Sequence, residues 1–399
     1  MTIPRDHYLS KLRVLKDVPV IKTVTGIRRC GKSTLLELFK EYLIDSGVEA
    51  DRIISMTFTH GSDEVMSAAD LLNEVRGKIV KGKMNYVFLD EIQMVRSWEK
   101  AVLTIFEEGG SDVYISGSYS KMFSSNLSTL LSGRAVEVEI FPLSYREFLF
   151  FTGLGDSADS LSGYMRVGGF PVAAALRDKP EYAVTVLDGI YRTVVLRDVI
   201  ERNDIRNPQI LGRVSASLMR NIGNSVSVKS IMDHMVRAGF KVNFETIDNY
   251  LGMLEEAFIF YRTKRYDTKT KEELVVNDKF YVADLGLRNA TLGFRDADIG
   301  RFMENLVYLE LRRRGYSIFI GKANSLEVDF IAKNAMSTSY YQASYSIEGP
   351  ETEKRELEPL KRLRDGRRRT IITMAPSLNR DHDGILEIGL REFLMDDRL

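Results

Sequence analysis

The sequence of 399 residues has one cysteine, Cys30, and only four histidines. A single thiol excludes a disulfide scaffold and a cysteine-rich zinc site, and so few histidines argue against a histidine-cluster metal enzyme. No run of about 18 apolar residues is available to span a bilayer, and the opening MTIPRDHYLS lacks the apolar core of a secretory signal. An excess of charge is missing too, since 56 basic residues cancel 56 acidic ones. That balance excludes a chain that coats nucleic acid through bulk charge, while local basic patches stay open. There is no repeat of fixed period and no low-complexity tract. What is left is an ordinary globular composition, 44% hydrophobic and 28% charged. At roughly 100–200 residues per domain the length suits two to four domains. A cytoplasmic protein without membrane association is expected.

The first 150 residues alternate between apolar strands and helices. Strands are expected at Val20–Val24, Arg52–Phe58, Tyr86–Leu89, Val113–Ile115 and Ala135–Phe141, with helices from Ser33 to about Leu43 and over Ala68–Val80. Strands separated by helices pair in parallel through right-handed crossovers. Ser144 followed by Glu147 is a capping box that opens a further helix. The small, polar Gly153–Gly163 reads as a linker. A helical pattern then runs from Tyr164 to Met219, broken at Gly168-Gly169-Phe170-Pro171 and near Pro208. Residues 225–282 read as helix, turn, helix and a two-stranded wing, and an amphipathic helix at Arg301–Arg314 opens a final mixed α/β region.

Gly26-Ile27-Arg28-Arg29-Cys30-Gly31-Lys32-Ser33 fits the phosphate-loop pattern G-x-x-x-x-G-K-[ST], behind an expected strand and at the head of an expected helix. Glycines let the backbone bend its N–H groups toward phosphate oxygens, and the helix N-terminus adds a favourable dipole. Lys32 is expected to reach the β- and γ-phosphates of ATP and the Ser33 hydroxyl to ligate Mg²⁺, with Gly26 through Thr34 lining the nucleotide. Arg28 and Arg29 are extra cations beside the phosphates or solvated side chains, and Cys30 reads as a small filler. Tyr86–Glu91 (YVFLDE) is an apolar strand ending in two acids, the form of a Walker B segment. Asp90 would hold the metal through water, and Glu91 would polarise the attacking water. A strand between the two motifs implies that their own strands are not neighbours, which disfavours simple nucleoside kinases. Ser116-Gly117-Ser118 closes the fourth strand, holding a γ-phosphate sensor or forming a plain turn. Arg134, in Ser132-Gly133-Arg134, is a candidate arginine finger acting in trans, or a surface arginine.

VTGIRRCGKSTLL, FLDEIQ, LSGRAVEVEIFPLSYREFL, GGFP, ENLVYLELRRRGY and EVDFI together resemble prokaryotic AAA-type ATPases, and more narrowly those with a C-terminal domain of unknown function numbered 4143. The resemblance runs from about Tyr8 to Phe393. It implies ATP binding, hydrolysis, and a C-terminal part similar to restriction-endonuclease folds, with Lys32, Ser33, Asp90 and Glu91 carrying the nucleotide chemistry. The expected fold class is therefore α/β. It comprises an AAA-type P-loop domain over 1–150, a helical connector over 151–220, a winged-helix-like module over 221–285 and a restriction-endonuclease-like domain over 286–399.

The second helix of the winged region carries Glu245, Asp248, Glu255 and Glu256, which phosphates would repel. Arg262, Lys264, Arg265, Lys269 and Lys271 on the wing suit DNA better, unless the module serves interdomain packing alone, and the run from Lys361 to Arg369 is a second basic patch or a solvated helix end. A restriction-type nuclease needs an aspartate on one strand and Glu-x-Lys on the next. Glu327 and Asp329 share a strand face, and Glu304 on the preceding helix is near enough to join them. The next strand offers Gln342-Ala343-Ser344, with neither anion nor cation, so cleavage is disfavoured. Otherwise Glu327 and Asp329 would pair with Arg312–Arg314. The leading expectation is an Mg²⁺-dependent ATPase whose cycle moves its C-terminal half against nucleic acid or a protein, oligomerisation being open. A slow-hydrolysing scaffold that recognises a protein comes second, and an ATP-dependent nuclease last.

Overall fold

The computed structural model describes residues 3–58, 66–120, 133–323, 326–376 and 380–396. They divide into two compact units, one comprising Met1–Phe141 with Glu256–Phe258, the other Pro142–Glu255 with Ile259–Leu399.

The first unit runs α1 (Asp6–Leu15), β1 (Ile21–Thr25), α2 (Lys32–Asp45), β2 (Ile53–Thr57), α3 (Ala68–Lys78), β3 (Asn85–Asp90), α4 (Trp98–Glu108), β4 (Ser111–Gly117) and β5 (Ala135–Glu139). The five strands form one parallel sheet in the order β2-β3-β4-β1-β5. The strand β4 thus separates β1 from β3, as the spacing of the two motifs implied. Helices cover both faces, so β1, β3 and nearly all of β4 are buried throughout; β3 and β4 carry apolar runs at Tyr86–Leu89 and Val113–Ile115, whereas β1 encloses Lys22, Thr23 and Thr25. Val87, Leu89, Val113 and Ile115 pack against Leu71 and Val75 of α3 and Trp98, Val102 and Ile105 of α4. Elsewhere in this unit Phe39 of α2 lies against Phe88 and Tyr114, whose rings stack 4.7 Å apart.

One charged pair is enclosed in this sheet. Lys22 is 0% exposed; its ammonium bonds Asp112 and donates to the Val18 carbonyl at 2.7 Å. Asp112 also accepts the Tyr114 hydroxyl at 2.7 Å and the Asp17 N–H at 2.9 Å.

The second unit begins with α5 (Tyr145–Thr152), opened by the Ser144/Glu147 capping box in the geometry its sequence implied. Residues 153–163 are not a simple linker: Ser157 caps α6 (Ala158–Val167), whose apolar residues Leu161, Tyr164 and Met165 are buried. Then come α7 (Pro171–Ala174), α8 (Pro180–Gly189), α9 (Arg197–Arg202) and α10 (Pro208–Arg220). Pro171, Pro180 and Pro208 all stand in a first helical turn, where a missing N–H costs nothing.

After β6 (Ser225–Val226) the chain forms α11 (Val228–Arg237), α12 (Phe244–Glu256), β7 (Phe260–Asp267), β8 (Glu272–Val282), α13 (Leu285–Leu292) and α14 (Ile299–Arg313). It ends with β9 (Ser317–Ala323), β10 (Leu326–Lys333), β11 (Thr338–Ser344), α15 (Pro350–Lys361), β12 (Arg369–Thr373), β13 (Leu386–Gly389) and α16 (Leu390–Met395). All eight strands join one sheet, β13-β12-β11-β10-β9-β7-β8-β6. The hairpin β7–β8, expected as a two-stranded wing, is part of this larger sheet, because β7 pairs in parallel with β9 and β8 pairs with β6.

Asp284 caps α13 and accepts the Gly169 N–H at 2.5 Å and the Leu287 N–H at 3.2 Å. A Cβ on Gly168 would lie 2.1 Å from Asp284 Oδ1 and one on Gly169 2.2 Å from the Leu143 carbonyl oxygen, so neither position of the glycine pair that breaks the helical pattern has room for a side chain. Burial pushes the Asp284 carboxyl up to about 7, although backbone N–H groups favour its ionised form. With the folded value above the unfolded 3.8, the group's contribution to stability is complete below about pH 4 and is lost as pH rises through about 7. Asp284→Asn should remove that slope, read as the change in denaturation midpoint between about pH 5 and 8. An unchanged slope in the variant would assign the pH dependence elsewhere.

Candidate nucleotide-binding site

The loop between β1 and α2 turns on two glycines with positive φ, Gly26 at 138° and Gly31 at 109°. A Cβ on Gly26 would sit 2.1 Å from the Ile140 carbonyl oxygen, so no side chain fits there. Gly31 occupies the N-cap of α2, and no side chain caps that helix end. The first-turn N–H groups are thereby left for an anionic ligand. Lys32 is 3% exposed and folds over the loop, donating to the Gly26 and Ile27 carbonyls at 3.0 and 3.3 Å. Its Nζ stands 3.8 Å from Glu91 Oε1. Ser33 and Thr34 are exposed beside it, whereas Ile27 and Cys30 point into the protein. The Cys30 Sγ lies 3.6 Å from the Ile140 carbonyl oxygen and burial pushes the thiol up, which suits a filler rather than a reactive group. Arg28 is half-buried; Arg29 is exposed with a φ of 68°.

Asp90 ends β3 at 7% exposure and accepts the Ser116 hydroxyl, whose oxygen in turn accepts the Glu91 N–H at 3.0 Å. Glu91 has a left-handed φ of 54°, a strained backbone for this residue type. Its carboxylate accepts the Gln93 amide and the Ser118 hydroxyl, the latter at 3.3 Å. Lys32, Asp90, Glu91 and Ser116 therefore converge at the carboxyl ends of β1, β3 and β4, where open parallel sheets bind ligands.

Two neighbours, Gln93 and Arg5, escaped the sequence reading as site residues. Gln93 holds Glu91 together with Ser118, the last residue of the segment that closes the fourth strand, and for Gln93 the only signal was proximity to Glu91. Arg5, 3% exposed, donates to the Cys30 carbonyl at 3.2 Å and the Phe141 carbonyl at 2.7 Å, bracing the loop. Its partners are 25 and 136 residues distant, so no local pattern marks it.

Arg134 is not brought to this chain's loop. It precedes β5, whose register pairs Ile21 with Ala135 at the amino end of the sheet, about 17 Å from the loop at about 3.3 Å per residue. Its guanidinium pairs with Glu107 at 2.6 Å. Ser132 lies outside the described residues.

In the second unit, some of the basic groups expected to meet DNA are engaged and others, Lys269 and Lys271 among them, are exposed. Arg262 pairs with Asp278 at 2.5 Å and Asp248 at 3.3 Å, Lys264 with Glu273 at 2.9 Å and Arg265 with Glu327 at 2.7 Å. Lys361, Arg362 and Arg367 pair with Asp383, Glu358 and Asp365, while Arg369 donates to the Leu360 and Leu363 carbonyls. Arg364 and Arg368 stay exposed. Glu327 and Asp329 do not pair with Arg312–Arg314: Arg313 and Arg314 hold Glu310 at 2.6 and 3.0 Å. The partner of Glu304, Glu327 and Asp329 is Lys279, a residue the sequence did not single out. Gln342 accepts the Asp329 N–H at 3.2 Å and donates to Glu356 at 3.3 Å. Burial would raise the Glu327 carboxyl, but Lys279 and Arg265 outweigh it and hold it below the usual range. Among the described residues no group of three or more His, Cys, Asp or Glu side chains is arranged for a metal ion, and no helix is long and apolar enough to cross a membrane.

Residues 19–149 match a family described as an AAA domain, and residues 158–298 match a domain of unknown function, DUF8612. This match is to DUF8612 and does not show the narrower resemblance to chains with the domain numbered 4143. An uncharacterized protein of Haemophilus influenzae is 35% identical over 399 residues, covering 98% of each chain. The uncharacterized protein MJ1544 of Methanocaldococcus jannaschii is 34% identical, over 78% of this chain and 71% of its own. Among solved structures, the Walker-type ATPase PABY2304 of Pyrococcus abyssi shares the fold at a TM-score of 0.52 and 14% identity, over 73% of this chain and 96% of that one. The chain thus carries an AAA-type P-loop ATPase domain. It belongs to one family with the Haemophilus and Methanocaldococcus proteins.

Proposed function

We propose that the protein is an Mg²⁺-dependent ATPase whose nucleotide cycle drives or gates its C-terminal half. The observation that carries the reading is the convergence of Lys32, Asp90, Glu91 and Ser116 around an uncapped helix N-terminus. Backbone N–H groups from Gly26 to Thr34 and the Lys32 ammonium would grip the phosphates. Lys32 now bonds two neutral carbonyls, and exchanging these for phosphate oxygens gives stronger, charge-assisted bonds. The residues suit Mg²⁺, with the exposed Ser33 hydroxyl and, through water, Asp90 as its holders; the ion would neutralise charge on the β- and γ-phosphates. Glu91, steadied by Gln93 and Ser118, would orient the attacking water. Ser116, bonded to both Asp90 and the Glu91 backbone, would couple the two acids to the γ-phosphate. Arg134 would serve only the site of a second copy.

What the C-terminal half acts on is a protein or a nucleic acid: Arg262, Lys264 and Arg265 on the hairpin are matched by carboxylates, which disfavours DNA there, while Lys269, Lys271, Arg364 and Arg368 stay exposed. A nucleotide-loaded regulatory scaffold is the second reading on the same observation. The succession α14-β9-β10-β11-α15-β12 supports a restriction-endonuclease-like fold, and the order α11, α12, hairpin supports a winged-helix ancestry. Cleavage is not part of the reading, because Gln342 and Ser344 supply neither charge.

Phosphate release from ATP by the purified protein, with and without single- and double-stranded DNA, tests this. Mg²⁺-dependent turnover is expected. Indifference to DNA would favour a protein partner, and stimulation by DNA, with binding that weakens steeply with salt, would favour nucleic acid. Absence of ATP binding would end the ATPase reading.

A further inference from the structure

Arg5 stands at the head of α1 and reaches the phosphate loop from outside its motif. It is 3% exposed, and its two terminal nitrogens serve different segments: Nη1 donates to the Cys30 carbonyl at 3.2 Å and Nη2 to the Phe141 carbonyl at 2.7 Å. Its backbone has a φ of 28°, a left-handed value that is unfavourable for arginine and persists only where the surroundings enforce it. We infer that Arg5 is a positioning residue of the nucleotide site, a clamp that turns the Gly31 N–H toward the phosphates. This role rests on the ATPase reading and adds to it a residue that the loop motif does not contain.

A trans peptide is planar, and its C=O and N–H point in opposite directions. Fixing the Cys30 carbonyl on Arg5 therefore fixes the Gly31 N–H on the other side of the same plane. Among the described residues no carbonyl accepts that N–H, and Gly31 is the N-cap of α2. The clamp is itself anchored, because the Tyr8 hydroxyl accepts the Phe141 N–H at 3.3 Å and the Tyr8 ring centre lies 4.7 Å from the Arg5 guanidinium. The neighbouring Ile140 carbonyl is the wall against which Gly26 turns. Both glycines of the loop thus rest on the segment that follows β5, and Arg5 closes the frame. Arginine suits the task, since its planar fork offers several donors at fixed angles where lysine offers one nitrogen. Its charge also lies close behind the loop, with Nη1 3.6 Å from where a Cβ on Gly31 would stand, which favours an anion in front.

Steady-state hydrolysis of ATP by the full-length protein with Mg²⁺, alongside calorimetric ADP binding, tests this. In Arg5→Met the KM for ATP and the Kd for ADP should both rise by about 10–100-fold, the weight of one hydrogen bond to a charged group. The kcat should change little, because Asp90 and Glu91 stand at the end of β3, outside the clamp. A residue that merely supports folding would do the reverse, lowering kcat with the active fraction and leaving KM alone. Arg5→Lys keeps the charge but loses the fork, so it should share the rise in KM, and it carries the test if the methionine variant folds poorly. Guanidinium ion at tens of millimolar should lower the KM of Arg5→Ala and leave that of wild type unchanged. A wild-type KM in folded Arg5→Met or in Arg5→Lys would overturn the inference, as would a loss of kcat at unchanged KM. Wild type that binds no ADP would instead end the ATPase reading, and with it this role for Arg5.

Discussion

Glu91→Gln should bind ATP as wild type does and lose hydrolysis by about 10²–10⁴-fold, the usual contribution of a positioned general base. The substitution keeps size and an acceptor oxygen, so the bonds from Gln93 and Ser118 to residue 91 can persist. What disappears is the negative charge that polarises water, together with the 3.8 Å attraction on Lys32. Loss of that attraction frees Lys32 for phosphate, so affinity should hold or rise slightly. Calorimetric ATP binding and phosphate release measured on the same preparation separate the two effects. Equal turnover in the variant would remove Glu91 from the catalytic assignment, and lost binding would make it a structural member of the loop.

Lys22→Met should destabilise the N-terminal unit by about 3–5 kcal/mol, the cost of leaving one half of a buried ion pair behind. Methionine fills much of the same volume, so the loss comes from Asp112 and not from a cavity. Asp112 would retain only the Tyr114 hydroxyl and the Asp17 N–H in a place closed to water. Adding Asp112→Asn removes the stranded charge and should recover part of the loss, because a neutral amide still accepts one of those bonds. Urea unfolding of the two variants and wild type gives the comparison. A loss below about 1 kcal/mol would mean that water reaches the site and screens the carboxylate.

The elements of the N-terminal unit were legible because their signals are local. The apolar runs of β3 and β4 are short and continuous, as two-sided burial requires, and the phosphate loop carries its glycines where φ must be positive. The Ser144/Glu147 box and the prolines at 171 and 208 likewise act within a few residues. Gly153–Gly163 misled because its small residues resemble a linker, yet Leu161, with Tyr164 and Met165 beyond it, completes a buried helical face. The hairpin misled for another reason. Strand patterning shows that β7 and β8 pair, but not that β7 has a second neighbour 50 or more residues further along the chain in β9.

What the sequence alone marked was the proposed nucleotide site: Gly26, Gly31, Lys32, Ser33, Asp90 and Glu91 stand out by type and spacing. They do so because a phosphate cradle is built from consecutive backbone groups. What tertiary structure decided was which charges meet. Arg5 reaches the loop from 25 residues away, Arg134 is carried to the far end of the sheet, and Lys279 fills a cluster drawn from α14 and β10. A charged side chain has the same letter whether it faces water or a carboxylate, and only the folded chain sets that neighbour.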